Sequence, residues 1–336
     1  MPRLAPALVF LFLALLPALP ASAAEEVVVY CSVDQVFSEP VLKKFEEQTG
    51  IRVHPLFDVE ATKTVGLVNR LIAEKDRPRA DVFWNSEISR TLVLAGKGVL
   101  APYQSPAAAD IPAQFKDRQQ RWTAFSARAR VLLYNTDLVK DEEAPRSIFD
   151  LADAKWRGRA AMAYPLFGTT AMHMAALHAS MGEEKLTSFL QQLLANDLQV
   201  VDGNAVARDR VVEGKAAVCI TDTDDANVAL ERGAPVKLLF PDQEGIGTLL
   251  IPNTVALVAG APHPEAGRRL IDYLLSAATE KDLALSEAAQ LPVRPALATP
   301  PRFPRLEHIK AMDVGYEAIE SKLQDTTALC QKLFTR

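Results

Sequence analysis

Three aspartates in four positions follow a short apolar run. The segment is Thr221-Asp222-Thr223-Asp224-Asp225, preceded by Ala216–Ile220. Carboxylates that converge repel one another, and such a cluster is sustained by solvent or by a bound cation. The plainer reading is a helix start, because Asp and Thr cap helices and acidic side chains suit the first turn. Capping accounts for one or two of these aspartates and leaves another over. A ligand role is therefore expected for at least one of Asp222, Thr223, Asp224 and Asp225. Other apolar runs end in similar groups. Ser32 and Asp34 follow the first run, Asp58 to Thr62 the second, and Asn85, Ser86 and Glu87 the third. A lone loop carboxylate is ordinarily just solvated, so Asp34 and Glu87 are weaker candidates by themselves.

A second constellation favours anions. Phe167-Gly168-Thr169-Thr170-Ala171 opens a helical pattern, and Asn204 opens another. Free backbone N–H groups with two hydroxyls at a helix start make an anion site. Arg128 and Arg130 lie on one side of an extended segment. Ordinary capping by Thr169 and a surface Arg128 form the competing account. Carboxylates on one side, with N–H, Thr and Arg groups on the other, suit two ligand kinds. One is a hard cation with an accompanying anion; the other is a zwitterion such as an aminophosphonate or a phosphorylated amine.

Catalytic chemistry finds less support. There is no G-x-S-x-G elbow, no His-Glu-x-x-His pattern and no Gly-rich phosphate loop. His173 and His178 stand five apart rather than four. Cys31, Cys219 and Cys330 are odd in number and read as buried thiols rather than a zinc site. An exported hydrolase is the alternative of another class, and turnover of an ester or phosphate panel would reveal it. The formal net charge of −5 argues against nucleic acid as partner.

These residues need elements to hold them. Met1 to Ala24 reads as a secretory signal peptide: Arg3, an apolar core from about Ala7 to Leu19, then Ala21-Ser22-Ala23 as cleavage site. Its core is shorter than the roughly 20 apolar residues that span a bilayer. The rest exceeds the ~250–300 residues at which single cores divide, so two lobes are expected. Strands are expected at Glu26–Tyr30, Ile51–Phe57 and Ala80–Trp84, alternating with helices at Ser38–Thr49, Thr62–Glu74 and Ile88–Ala95. Ser38 is the expected N-cap of the first helix and Gly50 its stop. Val131–Tyr134 is a strand entering a second α/β unit. Its strands are Ala160–Ala163, Leu198–Val201 and Ala216–Thr221, and its helices Thr169–Met181, Glu183–Ala195, Ala205–Glu213 and Asp224–Glu231. Thr248–Ile251 and Val255–Val258 return as two strands, followed by helices at Pro264–Ser276 and Thr279–Ala288. Such alternation argues for parallel sheets covered by helices.

In this order the segments VVVYCSVDQ, FEEQTGIRV, RADVFWNSEI, SARARVLLYNTD, GNAVARDRVVEGKAAVCITDTDDA and HPEAGRRLIDYLLS span nearly the whole chain after the leader. The chain resembles a periplasmic solute-binding protein of an ABC importer, of the bilobal type that includes the ferric-iron-binding proteins. The resemblance implies a two-lobed α/β fold of the clam-shell kind (type II) with two hinge-crossing strands. Lobe 1 would comprise 25–127 plus 250–336, and lobe 2 residues 128–249. It implies a periplasmic monomer, without resident cofactor, that hands a small ligand to an inner-membrane permease. Asp34 falls where many ferric-binding members place a histidine. Ser86 falls where some place a glutamate, with Glu87 one step later. Their paired tyrosine ligands fall on Thr223 and Asp224, so the phenolates are missing there. Tyr30 and Tyr164 stand near other strand ends. The matching arginine, Arg128, would face a synergistic anion. The expected ligand is ferric iron or another hard cation, held through Asp34, Glu87 and Asp224. The wider ligand set adds Ser32, Ser86, Arg128, Thr169, Thr170, Asn204, Asp222, Thr223 and Asp225.

Overall fold

The computed structural model describes residues 25–58 and 64–334. The expected signal peptide, the strand-end residues Glu60 to Thr62, and the start of the second expected helix lie outside the described residues.

The first half follows the expected alternation: β1 (Glu26–Cys31), α1 (Gln35–Thr49), β2 (Arg52–Phe57), α2 (Val65–Ala73), β3 (Val82–Asn85), α3 (Ile88–Gly96) and the short β4 (Leu100–Ala101). β5 (Thr123–Asn135) leads into the second half: β6 (Ala160–Ala163), α4 (Gly168–Met181), α5 (Glu183–Ala195), β7 (Gln199–Val201), α6 (Asn204–Val212), β8 (Val218–Asp222), α7 (Thr223–Glu231) and β9 (Val236–Leu239). β10 (Leu250–Val258), α8 (Pro264–Leu274), α9 (Ala277–Leu285) and α10 (Tyr316–Leu333) complete the chain.

Local chemistry sets most of these boundaries. Gly50 closes α1 at a φ of 71°, a left-handed conformation that costs glycine little. The start of α1 differs from expectation. It begins at Gln35 rather than after Ser38, whose buried hydroxyl instead donates to the carbonyls of Val33 and Asp34. Pro40 therefore sits inside the helix. The two expected return strands are one strand, β10. Pro252 lies within it, beside a register shift between Pro252 and Asn253. A residue without an N–H is tolerated in a ladder at such an irregularity.

Each half carries parallel strands. β1 pairs with β2 and β3 in one half, and β6 pairs with β7 and β8 in the other. Between them run β10 and β5, antiparallel to each other and to their outer neighbours. The order is β2-β1-β3-β10-β5-β8-β6-β7, with β4 beside β10 and β9 beside β5. β5 belongs to both halves: Thr123–Ala129 pairs with β10 and Arg130–Tyr134 with β8. All thirteen of its residues are buried. The result is a two-lobed α/β fold with the carboxyl ends of β1, β3, β6 and β8 gathered near the crossing strand. Ligands of open α/β sheets sit outside such strand ends.

α10 had no counterpart in the expected elements. It packs on α4 and α5 as well as on α3. His178 on α4 pairs with Thr326 Oγ1 at 2.8 Å, and the Tyr164 hydroxyl donates to the Phe334 carbonyl at 2.5 Å. Among the described residues no helix is long and apolar enough to cross a membrane.

Candidate functional site

The acidic run forms the end of β8 and the first turn of α7. Asp222 occupies the N-cap position, yet its side chain accepts no capping bond; in the first turn Asp224 Oδ1 accepts a backbone N–H, that of Asp225, at 3.0 Å. The aspartates chiefly meet arginines. Arg128 and Arg130 stand two residues apart on β5 and so project to one side. Arg130 Nη1 reaches Asp222 Oδ1 at 2.6 Å, and Arg128 Nη1 reaches Asp222 Oδ2 at 3.0 Å and Asp224 Oδ2 at 3.2 Å. Arg128 Nη2 donates to the Ser86 carbonyl at 2.6 Å, tying the end of β3 to the cluster. The competing account of a surface Arg128 fails, since Arg128 is 4% exposed.

The second constellation closes on the same cluster. The Thr169 hydroxyl donates to Asp222 Oδ2 at 2.7 Å, and Asn204 Nδ2 donates to it at 3.2 Å. Arg130 Nη1 also reaches Thr169 Oγ1 and Asn204 Oδ1, both at 3.1 Å, while Nη2 reaches Thr170 Oγ1 at 3.3 Å. Arg128 Nε and Arg130 Nε are buried and find no acceptor among the described residues. Buried donors of this kind are nearly always paired in native structures.

The charges act on one another in opposite directions. Burial alone drives the Asp222 carboxyl up; Arg130 and then Arg128 more than reverse this and hold it below its usual value. Asp225 lies on the other side of the balance. Burial, then Asp224, Asp34 and Asp222, hold its carboxyl well above the usual range, and Arg208 offsets this only in part from 3.5 Å. One turn further along α4, burial pushes His173 down to about 3, with Arg130 adding to the effect and Asp222 opposing it. Its imidazole is neutral beneath the arginines.

A cavity of about 300 Å³ opens over this cluster. Asp34, Ser86, Arg128, Thr169, Thr170, Asn204, Asp222 and Asp225 line it. Four expected ligand residues do not. Glu87 caps α3, its carboxylate accepting from Ser89 N at 2.7 Å and Arg90 N at 3.1 Å. Ser32 organises the end of β3, donating to Asn85 Oδ1 and accepting from Ser86 N. Thr223 Oγ1 accepts from Ala129 N at 3.2 Å and so braces the crossing strand. Asp224 is ion-paired with Arg128. The expected metal set of Asp34, Glu87 and Asp224 is thus not assembled, because capping takes the Glu87 oxygens. Carboxylate oxygens of Asp222, Asp224 and Asp225 converge instead, within 4.8 Å of one another. The Tyr30 hydroxyl donates to Glu74 Oε2.

Several lining residues escaped the sequence reading. Asp202 and Gly203 follow β7 and precede Asn204, and the strand-end rule applied there would have found them. Arg208 lies one turn after Asn204 on α6, a helical spacing that was readable. Phe37 on α1, Arg232 just past α7 and Glu287 beyond α9 come from three distant parts of the chain and carry no local signal.

A cavity lined by charged and hydroxyl side chains at the facing strand ends of two α/β halves, joined by crossing strands, is the arrangement of a two-lobed solute-binding protein. The chain belongs to the bacterial extracellular solute-binding protein family, whose sequence profile matches residues 88–322. It is 28% identical over 270 residues to iron uptake protein A1 of Synechocystis sp., covering 77% of this chain and 74% of that one. It is 29% identical over 313 residues to a Salmonella typhi protein named for periplasmic 2-aminoethylphosphonate binding, covering 89% and 87%. Its fold matches that of iron-bound HitA from Pseudomonas aeruginosa with a TM-score of 0.82 at 21% identity, covering 92% and 99%.

Proposed function

We propose that this chain is the periplasmic receptor of an ABC importer, exported by its leader and acting as a monomer. It closes over one small ligand and presents it to the inner-membrane permease. Residues 25–127 and 250 onward form the first lobe and 128–249 the second, with α10 laid against both. The ligand class we favour carries an anionic head and a cationic amine, as an aminophosphonate or a phosphorylated amine does.

The observation that carries this reading is the buried pair Arg128 and Arg130. Their Nε–H groups find no acceptor among the described residues, and Arg130 reaches Thr169 and Thr170 at the start of α4. Guanidinium forks and a helix N-terminus together suit a phosphonate or phosphate. Asp225 supports the amine end, because a carboxyl held above its usual range by burial and like charges gains from an arriving cation. Relatives named for 2-aminoethylphosphonate binding agree with it.

A second reading keeps ferric iron or another hard cation with a synergistic anion. The convergence of Asp222, Asp224 and Asp225 favours it, as do relatives named for iron. Here Arg128 would share its carboxylates with the ion. Native mass spectrometry of protein from its own periplasm, with metal analysis, identifies the bound species. Titration then separates the readings. Added inorganic phosphate should compete with 2-aminoethylphosphonate, and Arg128→Ala should weaken that binding. Binding of ferric citrate alone, strengthened by added phosphate or bicarbonate, would overturn the zwitterion reading in favour of the metal. Neither ligand should be turned over, and an ester and phosphate panel should remain uncleaved.

A further inference from the structure

The crossing strand β5 is irregular at one point. Pro252 of β10 pairs with Ala127 and Asn253 pairs with Phe125, so Ser126 is the extra residue between them. Its φ is 48°, a left-handed conformation that a serine rarely adopts. This is a β-bulge, a device that bends a strand and re-aims the side chains beyond it. Arg128 and Arg130 follow two and four residues later, on the stretch where β5 passes from one lobe to the other.

The bulge is held from outside its own sheet. Glu280 on α9, fully buried, accepts from Ser126 N at 2.9 Å and from Val293 N at 2.7 Å. Arg294 Nη1 fixes the other Glu280 oxygen at 2.6 Å. Asn253 Nδ2 donates to the Ser126 carbonyl at 2.6 Å and to Gln290 Oε1 at 2.5 Å. Yet Ser126 Oγ, Asn253 Oδ1 and Gln290 Nε2 are buried and lack partners among the described residues. Three such atoms on adjoining residues stand out, since buried polar groups are nearly always satisfied. The bulge is thus braced through its backbone from α9 and Asn253, while the side chains around it are left incompletely paired.

We propose that Ser126 is the pivot of lobe closure and that Glu280 is the positioning residue that sets its angle. Closure and the aim of Arg128 and Arg130 are then one motion, controlled from α9. This rests on the reading of the protein as one that closes over its ligand.

The test uses ligand-free protein, carrying spin labels on exposed positions of α1 and α5 through Glu47→Cys and Glu184→Cys. The native cysteines are buried. Pulsed dipolar spectroscopy reads the distance between lobes. Ser126→Gly frees the pivot, and Glu280→Gln replaces an acceptor by an amide among three donors. Each is expected to change the ratio of inter-lobe populations at least about fivefold, the low end for a coupled element. Asn196→Ala removes buried bonds to Leu151 and Asp153 away from the pivot; it should lower the melting temperature without moving the distances. Distances identical to wild type in a cooperatively melting Ser126→Gly protein would overturn the proposal, whether or not Glu280→Gln folds. Shifted variants in a protein that ignores 2-aminoethylphosphonate would uphold the pivot and refute only that ligand.

Discussion

Replacing Arg130 by Met removes a fully buried charge of the site while roughly keeping its volume. Arg130 and Asp222 are both fully buried. The substitution deletes the 2.6 Å ion pair to Asp222 Oδ1 and the bonds to Thr169, Asn204 and Thr170. Breaking a buried pair from one side commonly costs about 3–5 kcal/mol, because a charge is left behind. Asp222 keeps Arg128 at 3.0 Å and the Thr169 hydroxyl at 2.7 Å, so the low end, about 3 kcal/mol, is expected. At roughly 2–3 °C per kcal/mol for a chain of this size, the ligand-free protein should melt about 6–9 °C lower near neutral pH. The loss should depend on pH. In the wild type the Asp222 carboxyl is depressed, so its stabilisation is present above the ordinary carboxylate value of about 3.9 and is lost as pH falls through the lower folded value. Without Arg130, burial dominates and the carboxyl moves up. The deficit should then be largest near pH 7.5 and shrink toward about pH 4.5, where Asp222 takes up a proton. Calorimetric melts across that range measure it, and Asp222→Asn added to Arg130→Met should recover most of the loss. A deficit independent of pH, or one below about 2 °C at neutral pH, would refute the argument that the pair is electrostatically coupled.

Glu87→Ala should cost about 0.5–2 kcal/mol of stability through the lost cap of α3, with affinity for 2-aminoethylphosphonate unchanged. A tenfold affinity loss at constant melting temperature would return Glu87 to the ligand set. Asp225→Asn acts in the opposite sense to Arg130→Met. The Asp225 carboxyl is raised, so its contribution is full below the ordinary carboxylate value and is lost as pH rises through the raised one. The asparagine variant should therefore melt higher than wild type near pH 7.5, show no gain near about pH 4, and bind the amine-bearing probe more weakly. A lower melting temperature at neutral pH would contradict the crowding of Asp225 by Asp224 and Asp34.

Much of the architecture was local and therefore legible. The valines of β1, the glycine that stops α1 and the alternation of strand with helix follow from side-chain shape, backbone freedom and periodicity over a few residues. The two constellations were legible as well, because the strand-end rule turns a local reading into a position in space: Thr169, Thr170, Asn204 and Asp222 do meet. What sequence could not decide was how the groups pair once they meet. Glu87 turned to its own helix, Thr223 to the crossing strand, and Asp222 and Asp224 to arginines that come from nearly a hundred residues earlier. The Ser126 bulge was invisible, since it exists only where β5 lies against β10. A strand, a helix or a cap is settled by neighbours along the chain. The charge state and aim of a buried polar group are settled by whichever distant partners the tertiary fold brings within about 3 Å, where electrostatic and hydrogen-bond energies are decided.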